Sequence, residues 1–372
     1  MKAIGIILAG GNNNRMKELT AKRAVPALPV AGSFRSIDFA LSSMSNSHIQ
    51  TVAVLTQYNA RSLNEHLSSS KWWNFGRKQG GLFLFTPTVT ADNSDWYRGT
   101  ADAMYQNIDF LKRRHEPYVI ISSGDCVYKL DFNRVLDFHI EKKSDITVVC
   151  KDMMYNDDVS RFGVVRMDDE SRITEFDEKP IEALSNTIST GIYVIRRRQL
   201  IELLEAAAEE NRFDFVNDIL VRYKNVKKIY GYKINSYWNN IADIDAYFKT
   251  NMDFLRPDVR SYFFREEPTI CSKVDDLPPA KFNPGSDISN SLVSSGCIIN
   301  GSVEDSVLFK QVFVGKNTTV NNCVLLNDVY IGDNVHLENC IVESRGTINP
   351  NTCYCGEDGV MIVKEKNVRY VI

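Results

Sequence analysis

The chain has no apolar run that approaches the length of a membrane span, and this excludes a helical membrane protein. It has no excess charge of one sign either: 44 Lys and Arg stand against 47 Asp and Glu, a formal net charge of -3. Such a balance gives no general attraction to nucleic acid or anionic lipid, so any anion site has to be local. Histidine is scarce, with five dispersed copies, and the eight cysteines are scattered through strand-like segments rather than spaced as a disulfide framework. Cys353 and Cys355 lie one residue apart, which is not the usual metal spacing. Reduced, mostly structural thiols are expected. Met1 leads straight into an apolar strand with no room for a signal peptide, so a cytoplasmic setting is expected.

What is present is ordinary in bulk, with 44% hydrophobic and 24% charged residues, and a length of 372 suggests two domains and a connector. The organising stretch is KAIGIILAGGNNNR, Lys2 to Arg15. Ile4, Ile6, Ile7 and Leu8 predict a buried parallel strand that stops at Gly10 and Gly11. Glycines there allow backbone N–H groups to approach an anion, and Arg15 can reach the same anion bidentately. A phosphate cradle and a plain tight turn both satisfy this pattern. The following Lys17, Lys22, Arg23 and Arg35, set among Pro26, Pro29 and Gly32, suit either a solvated basic loop or an anion site.

Helical spacing over 36–47, a strand over Thr51 to Thr56 and a helix over Asn59 to Leu67 predict a β-α-β-α unit of a parallel sheet. Lys71 to Asp95 lacks periodicity and predicts a long loop. Thr100 is expected to cap a helix, where Gly99 and the helix start offer backbone donors beside Arg98. The strand Tyr118 to Ser123 ends in Gly124-Asp125. A carboxylate at the carboxyl end of a central parallel strand is where open α/β sheets place ligand chemistry, so Asp125 is a candidate metal ligand, or else a turn cap. Further strands are expected over Asp145 to Cys150, Gly163 to Met167, Arg172 to Phe176 and Ile188 to Ile195, with helices around Leu200 to Glu210 and Phe213 to Tyr223. Glu178 and Lys179 stand at a strand edge halted by Pro180; they need not pair with each other and could instead meet a sugar hydroxyl and a phosphate. Asp243 can cap a helix bearing Ile244, Tyr247 and Phe248.

Prolines punctuate Leu255 to Gly285, which predicts a linker between a first domain, 1–254, and a second, 286–372. Beyond it, Val314 and Val320, Ile331 and Leu337, and Val329, Val335 and Ile341 recur six apart, with Gly, Asn and Asp at the corners. Six residues per side of a three-sided coil predict a parallel β-helix, with a small β-sandwich as the alternative.

These phrases together resemble ADP-glucose pyrophosphorylase, the glucose-1-phosphate adenylyltransferase of bacterial glycogen and plant starch synthesis. The resemblance rests on LAGG with Arg15, KRA-P at Lys22 to Pro26, FRSIDFALS, LTQY, WYRGTADAMYQN, SGDCVYKLD, FGVV, EKP, STGIYV, YWNNI, LPPAKF and SLVSSGCIINGSV. It implies a Rossmann-like α/β nucleotidyltransferase domain followed by a left-handed β-helix. It also implies Mg²⁺-assisted attack of glucose 1-phosphate on the α-phosphorus of ATP. Carried over residue by residue, Arg15 matches the glycine-loop arginine and Asp125 the metal aspartate. Gly10, Gly11, Gly99, Gly124, Glu178, Lys179, Ser189 and Trp238 fall in substrate-binding phrases, and Lys22, Arg23 and Arg35 at effector-site positions.

Four segments depart from that pattern. GGRGTR becomes GGNNNR, with Asn12 and Asn13 replacing an arginine and a glycine. RAKP becomes RAVP, so Val25 replaces a lysine that faces the triphosphate. An adenine-contacting Ala-Gln-Gln becomes Thr88-Val89-Thr90, and a second metal aspartate becomes Asn240. If each lost transition-state charge contact costs about 3 kcal/mol, each is worth roughly a hundredfold, and two independent losses leave about 10⁻⁴ of normal turnover. The resemblance therefore implies a GlgD-type regulatory subunit, poor in catalysis, with doubtful Mg²⁺ binding, working in a heterotetramer with a catalytic subunit and sensing glucose 1-phosphate or a sugar-phosphate effector. The alternatives are an independently active nucleotidyltransferase with altered nucleotide contacts, a stand-alone sugar-phosphate-sensing module, and a bifunctional uridylyltransferase-acetyltransferase. The last is disfavoured because His336 is the only histidine in the repeat and about four coils are too few for an acyl-CoA cleft.

Overall fold

The computed structural model describes residues 2–11, 14–76, 80–88, 95–154 and 157–366. Asn12, Asn13, Val89 and Thr90, four of the departing positions, lie outside them. The chain forms two compact units that are interleaved in sequence: 1–12, 40–124 and 128–238 make one, and 13–39, 125–127 and 239–372 make the other.

In chain order the first elements are β1 (Ala3–Ala9), β2 (Pro29–Val30), β3 (Phe34–Arg35), α1 (Ser36–Asn46), β4 (Thr51–Thr56), α2 (Arg61–Leu67) and β5 (Gly81–Phe85). Then come α3 (Thr100–Gln106), α4 (Ile108–Lys112), β6 (Tyr118–Ser123), β7 (Cys126–Tyr128), α5 (Phe132–Glu141), β8 (Ile146–Asp152), β9 (Gly163–Met167) and β10 (Ile173–Glu178). The series closes with β11 (Thr187–Arg196), α6 (Arg197–Glu209), β12 (Ile229–Lys233), β13 (Trp238–Asn240), α7 (Ile244–Asp253) and α8 (Pro257–Phe264).

The first unit is built on a nine-stranded mixed sheet, ordered β10-β9-β11-β6-β1-β4-β5, with β8 joined to β11 and β12 to β8. β1 runs parallel between β4 and β6, with Ile6 opposite Ala53 on one side and Ile121 on the other. Buried on both faces, it can be apolar throughout, as its sequence is. Ile4, Ile6, Val119, Ile121, Val148, Phe176 and Ile195 join Leu200, Leu204 and Ile219 in one core. β11 is antiparallel to β6 and β8, and its register with β8 shifts between Ser189 and Tyr193, where Gly191 takes φ +73°. That is a bulge, and glycine supplies its left-handed residue.

Three expectations need correction here. The stretch from Lys71 to Asp95 is not all loop: β5 pairs in parallel with β4, from Thr51 opposite Gly81 to Leu55 opposite Phe85. All five of its residues are half-buried, so it shows no alternation to read. Thr100 is the first residue of α3 rather than its cap; Gly99 holds that place. The proline-rich stretch after Leu255 contains α8, whose Phe263 is buried and packs edge-on against Phe39 and tilted against Phe254, both at 5.3 Å. Pro257 sits in its first turn, where a missing N–H is no loss.

In the second unit, the segment 13–39 is tied to α7: the Tyr247 hydroxyl donates to the Pro29 carbonyl (2.7 Å) and the Ala31 N–H donates to Asn251 Oδ1 (3.1 Å). Asp243 caps α7 by accepting from the Ala246 N–H at 2.7 Å. Beyond α8 the chain winds into three five-stranded parallel sheets, the three sides of a left-handed β-helix with five rungs. Equivalent residues in the middle rungs are 17 apart, Val320 stacking on Leu337 and Thr319 on His336. Three six-residue sides would give about 18, and one side is a residue short: the inward positions Val320 and Leu325 are five apart, whereas Val314 and Val320, and Leu325 and Ile331, are six apart. Corner asparagines adopt left-handed backbone, Asn317, Asn334 and Asn351 at φ 55°, 57° and 63°. Their side chains form a ladder, Asn317 donating to Asn334 (3.2 Å) and Asn334 to Asn351 (3.1 Å).

One buried histidine gives the first unit a pH response. His139, on the inner face of α5, has its Nδ1 2.8 Å from Thr147 Oγ1, while its Nε2 is buried with no partner among the described residues. Burial, reinforced by the charge of Arg196, lowers its pKa from 6.5 to about 4. The neutral ring is therefore the folded form, and the stability it carries is complete above pH 6.5 and lost as pH falls through about 4. The difference of 2.5 units (6.5 − 4) corresponds to at most about 3 kcal/mol. Urea midpoints measured between pH 7 and 4 should fall less steeply in His139→Phe than in the parent chain.

Candidate functional site

Glu178, Lys179, Ser189 and Trp238 all lie in the first unit, and the structure brings three of them together around one buried phenol. Ser189 Oγ donates to the Tyr193 hydroxyl at 3.3 Å across the β11 bulge. Burial pushes that phenol far above its ordinary pKa, with Glu178 and Asp214 near enough to add to the effect, so Tyr193 stays protonated. Glu178 closes β10 and its pKa is raised, by burial first, although Lys179 works against this. The two do pair: Lys179 Nζ lies 3.2 Å from Glu178 Oε1, with the carboxylate side chain 16% exposed and the ammonium 61%. An exposed cation bound to a sheltered carboxylate is a contact that an incoming phosphate can share. Lys179 also takes φ +50°, uncommon for a non-glycine residue, and its N–H donates to the Phe162 carbonyl (3.0 Å). Phe162 in turn packs edge-on against Trp238 at 5.6 Å. The indole Nε1 of Trp238 is buried without a partner among the described residues, a donor whose desolvation goes unrewarded within the chain. Gly163 leaves room for this cluster, since a Cβ there would lie 2.9 Å from Glu178 Oε2.

Gly10 and Gly11 end β1 as expected, and Gly10 is closely packed, a Cβ there lying 3.3 Å from the Cβ of Gln57. Gly124 follows β6 and donates to the Leu8 carbonyl at 3.0 Å. Gly99 differs from the expectation. The Ala101 and Asp102 N–H groups at the start of α3 both donate to the Phe213 carbonyl, at 2.8 and 3.2 Å, and the Thr100 hydroxyl accepts from the Phe215 N–H at 2.8 Å. Those donors are occupied by the chain itself. Gly99 is required because a Cβ would lie 2.3 Å from that same carbonyl. Arg98 lies flat over the Phe213 ring at 3.8 Å, its backbone N–H bonded to Asp102 Oδ2 at 2.8 Å.

The second unit holds Arg15, Lys22, Arg23, Val25, Arg35, Asp125 and Asn240. Arg15 is exposed in a 3₁₀ segment, Asn14–Thr20, anchored by buried Met16 and Leu19. Val25 is 4% exposed and packs in the apolar turn Val25–Ala27, a position now part of the core. Asp125 and Asn240 are neighbours: the Ile241 N–H donates to the Asp125 carbonyl at 2.9 Å. Asn240 Oδ1 accepts from the Ala242 N–H (3.0 Å), and its Nδ2 donates to Cys126 Sγ (3.4 Å), whose thiol leans on Asp125 Oδ1 (3.5 Å). The donor set is thus one carboxylate beside an amide whose oxygen already serves a backbone N–H. These residues do not fit a magnesium clamp built on two carboxylates.

The basic residues divide. Burial lowers the pKa of Arg23, which faces Tyr247, Glu343 and Arg345. Arg35 faces Asp275 instead: burial works to raise that carboxyl, but Lys310, Lys273 and Arg35 together hold it below its ordinary value. Lys22 is exposed. Sequence inspection missed Tyr193, Asp214 and Arg345. Tyr193 was within reach, being an even number of residues from Ser189 in one strand; Arg345 had no local signal.

Taken as classes, the two parts are defined by sequence comparison. Residues 4–256 match the model of the nucleotidyl transferase family, and residues 278–362 that of the GlmU-like C-terminal hexapeptide family. A glucose-1-phosphate adenylyltransferase of Geobacillus stearothermophilus is 39% identical over 365 residues, covering 97% of this chain and 94% of its own. That of Clostridium novyi is 38% identical over 320 residues (85% and 84%), and that of Bacillus subtilis 36% over 322 (86% and 84%). The chain belongs to the glucose-1-phosphate adenylyltransferase family.

Gly99→Ala should drive the 213–215 loop from the start of α3 and cost about 1–3 kcal/mol, as overpacking against backbone does. Urea unfolding checks this; an unchanged midpoint would mean that the loop does not hold the helix.

Proposed function

We propose that this chain is a regulatory, catalytically weak subunit of GlgD type, acting in a heterotetramer with a competent glucose-1-phosphate adenylyltransferase subunit. The family reaction joins a phosphate oxygen of glucose 1-phosphate to the α-phosphorus of ATP, breaks the α–β phosphoanhydride and releases pyrophosphate. The observation that carries the reading is Asn240. Its neutral side chain is engaged by Ala242 and Cys126, at the position where the family pattern has a metal aspartate. Val25, buried where that pattern has a lysine, removes a second charge from the ATP side. On the sugar-phosphate side Glu178, Lys179 and Ser189 keep their charged and polar groups around Tyr193. Substrate would be held and the nucleotide step left without its electrostatic support.

Lys22, Arg23 and Arg35 supply cation for an anionic effector, and coupling to the partner subunit would be reciprocal with effector binding. An independently active enzyme with altered nucleotide contacts is favoured by one feature, the retained pair of Asp125 and Lys179. A third occupant of the same scaffold, a sensor with no partner subunit, would bind sugar phosphate identically and differ only in leaving a catalytic subunit unaffected.

ADP-glucose synthesis by this chain alone, by a catalytic subunit alone and by both together separates these readings. Silence alone and a gain in rate or effector response on mixing is expected; turnover by this chain at the rate of the catalytic subunit would overturn the proposal. The double variant Val25→Lys, Asn240→Asp should raise residual turnover by about 10²-fold or more, in line with restored charge contacts. Lys179→Ala should weaken glucose 1-phosphate binding about 10–100-fold in calorimetry, the worth of a charged hydrogen bond of about 1.5–3 kcal/mol.

A further inference from the structure

The second side of the β-helix ends in two neighbouring strands, His336–Glu338 and Cys353–Cys355, paired in parallel with His336 opposite Cys353 and Glu338 opposite Cys355. Leu337, between the first two, is fully buried in the coil. Strand alternation therefore turns residues 336, 338, 353 and 355 together to the outer face. The result is a two-by-two array of an imidazole, a carboxylate and two thiols. A spacing that is unlike a metal motif along the chain becomes one across a sheet.

The distances within each strand suit a tetrahedral ion. Cys353 Sγ and Cys355 Sγ are 3.6 Å apart, and His336 Nε2 and Glu338 Oε2 are 3.6 Å apart. Two thiolates each about 2.3 Å from a tetrahedral zinc lie about 3.8 Å from each other, and a nitrogen and an oxygen at about 2.0–2.1 Å lie about 3.4 Å apart. Donor atoms of His336, Glu338 and Cys355 all fall within 4.8 Å of one another, and the Cys353 thiol, outside that group, adjoins it through Cys355. The histidine is already oriented: its Nδ1 lies 2.6 Å from Thr319 Oγ1, one rung back, which leaves Nε2 for the cluster. Metal-bound histidines regularly make such an outer hydrogen bond, which fixes tautomer and ring plane. Cys353 is exposed and Cys355 partly so, and an ion can reach them; Cys297, Cys323 and Cys340 are buried in the coil and suit the structural role expected of thiols here.

We propose that His336, Glu338 and Cys355, joined by Cys353 when the ion binds, form a surface site for one thiophilic divalent ion of the Zn²⁺ class, which ties the last rung of this side to the rung before it. Cys353–Cys355 is the outermost strand of its sheet, and terminal repeats of stacked folds need such capping. Three of the ligands are grouped by the scaffold before the ion arrives, and binding stabilises the coil by an amount that grows with the logarithm of ion concentration above the dissociation constant.

The test uses the full, reduced chain titrated with Co²⁺ and then with Zn²⁺. One equivalent of Co²⁺ should give tetrahedral visible bands with a sulfur-to-metal charge-transfer band, displaced stoichiometrically by Zn²⁺, and Zn²⁺ should raise the thermal midpoint. Cys353→Ser with Cys355→Ser should abolish both effects while leaving the metal-free midpoint in place, because both side chains face outward. Thr319→Val should keep the bands and weaken affinity about 10-fold or more, as loss of an outer-shell bond does. Cys271→Ser removes an exposed thiol elsewhere and should change nothing. A reduced parent chain without the charge-transfer band, or a double serine variant that retains it, would overturn the proposal.

Discussion

The first unit depends on the double pairing of β1. Its seven residues bond in parallel to β4 on one side and β6 on the other, with no edge open to water. A strand so enclosed must be apolar on both faces, and its two neighbours must end where it ends. That requirement brings the ends of the three strands to one margin, where Gly10 abuts Gln57 and the Gly124 N–H meets the Leu8 carbonyl. Shifting β1 by one residue would exchange its two faces and displace every group at that margin.

On the proposed reading, the chemistry is unevenly retained against this fixed frame. Where charge is kept, it is kept with its supports: Glu178 beside Lys179, Ser189 on Tyr193, and Gly163 leaving space for the carboxylate. Where charge is missing, its replacement is built into the protein. Val25 is buried among Ala24, Pro26 and Ala27, and Asn240 is bonded at both ends of its amide. An isolated charge at either position would carry a desolvation cost that the present residues avoid. The neutral versions are therefore self-consistent, and a variant that restores charge has to displace these internal bonds as well as supply an electrostatic contact.

Much of the fold was legible because burial imposes a period. The bounds of β4 and β6 follow from runs that are apolar on both faces, the Asp243 cap from its place before Ile244, and the coil from the six-residue recurrence of Val314 and Val320. What was hidden depended on distant partners. β5 has no alternation because its side chains are all half-buried, and α8 lies among prolines that look like punctuation until Phe263 finds Phe39. The start of α3 looked open to a ligand because its occupant, the Phe213 carbonyl, is far along the chain. Cys353 and Cys355 looked like scattered thiols because their companions, His336 and Glu338, come from the previous rung. Periodicity reports which face is buried; it does not report who else is on it.

The interleaving of the two units bears on how the protein is made. The Pro29 carbonyl and the Tyr247 hydroxyl that satisfies it are separated by 218 residues. At a synthesis rate of about 5–20 residues per second, the segment carrying Leu28 and Val30 waits on the order of ten seconds or more for its partner to leave the ribosome. During that interval the Pro29 carbonyl and the Ala31 N–H lack the partners that α7 supplies, although β1, β4 and β6 are already available to one another. The nascent chain therefore has a dwell time in which a basic, proline-rich arm precedes the helix that will hold it, and completion of the second unit is tied to the end of synthesis rather than to its start.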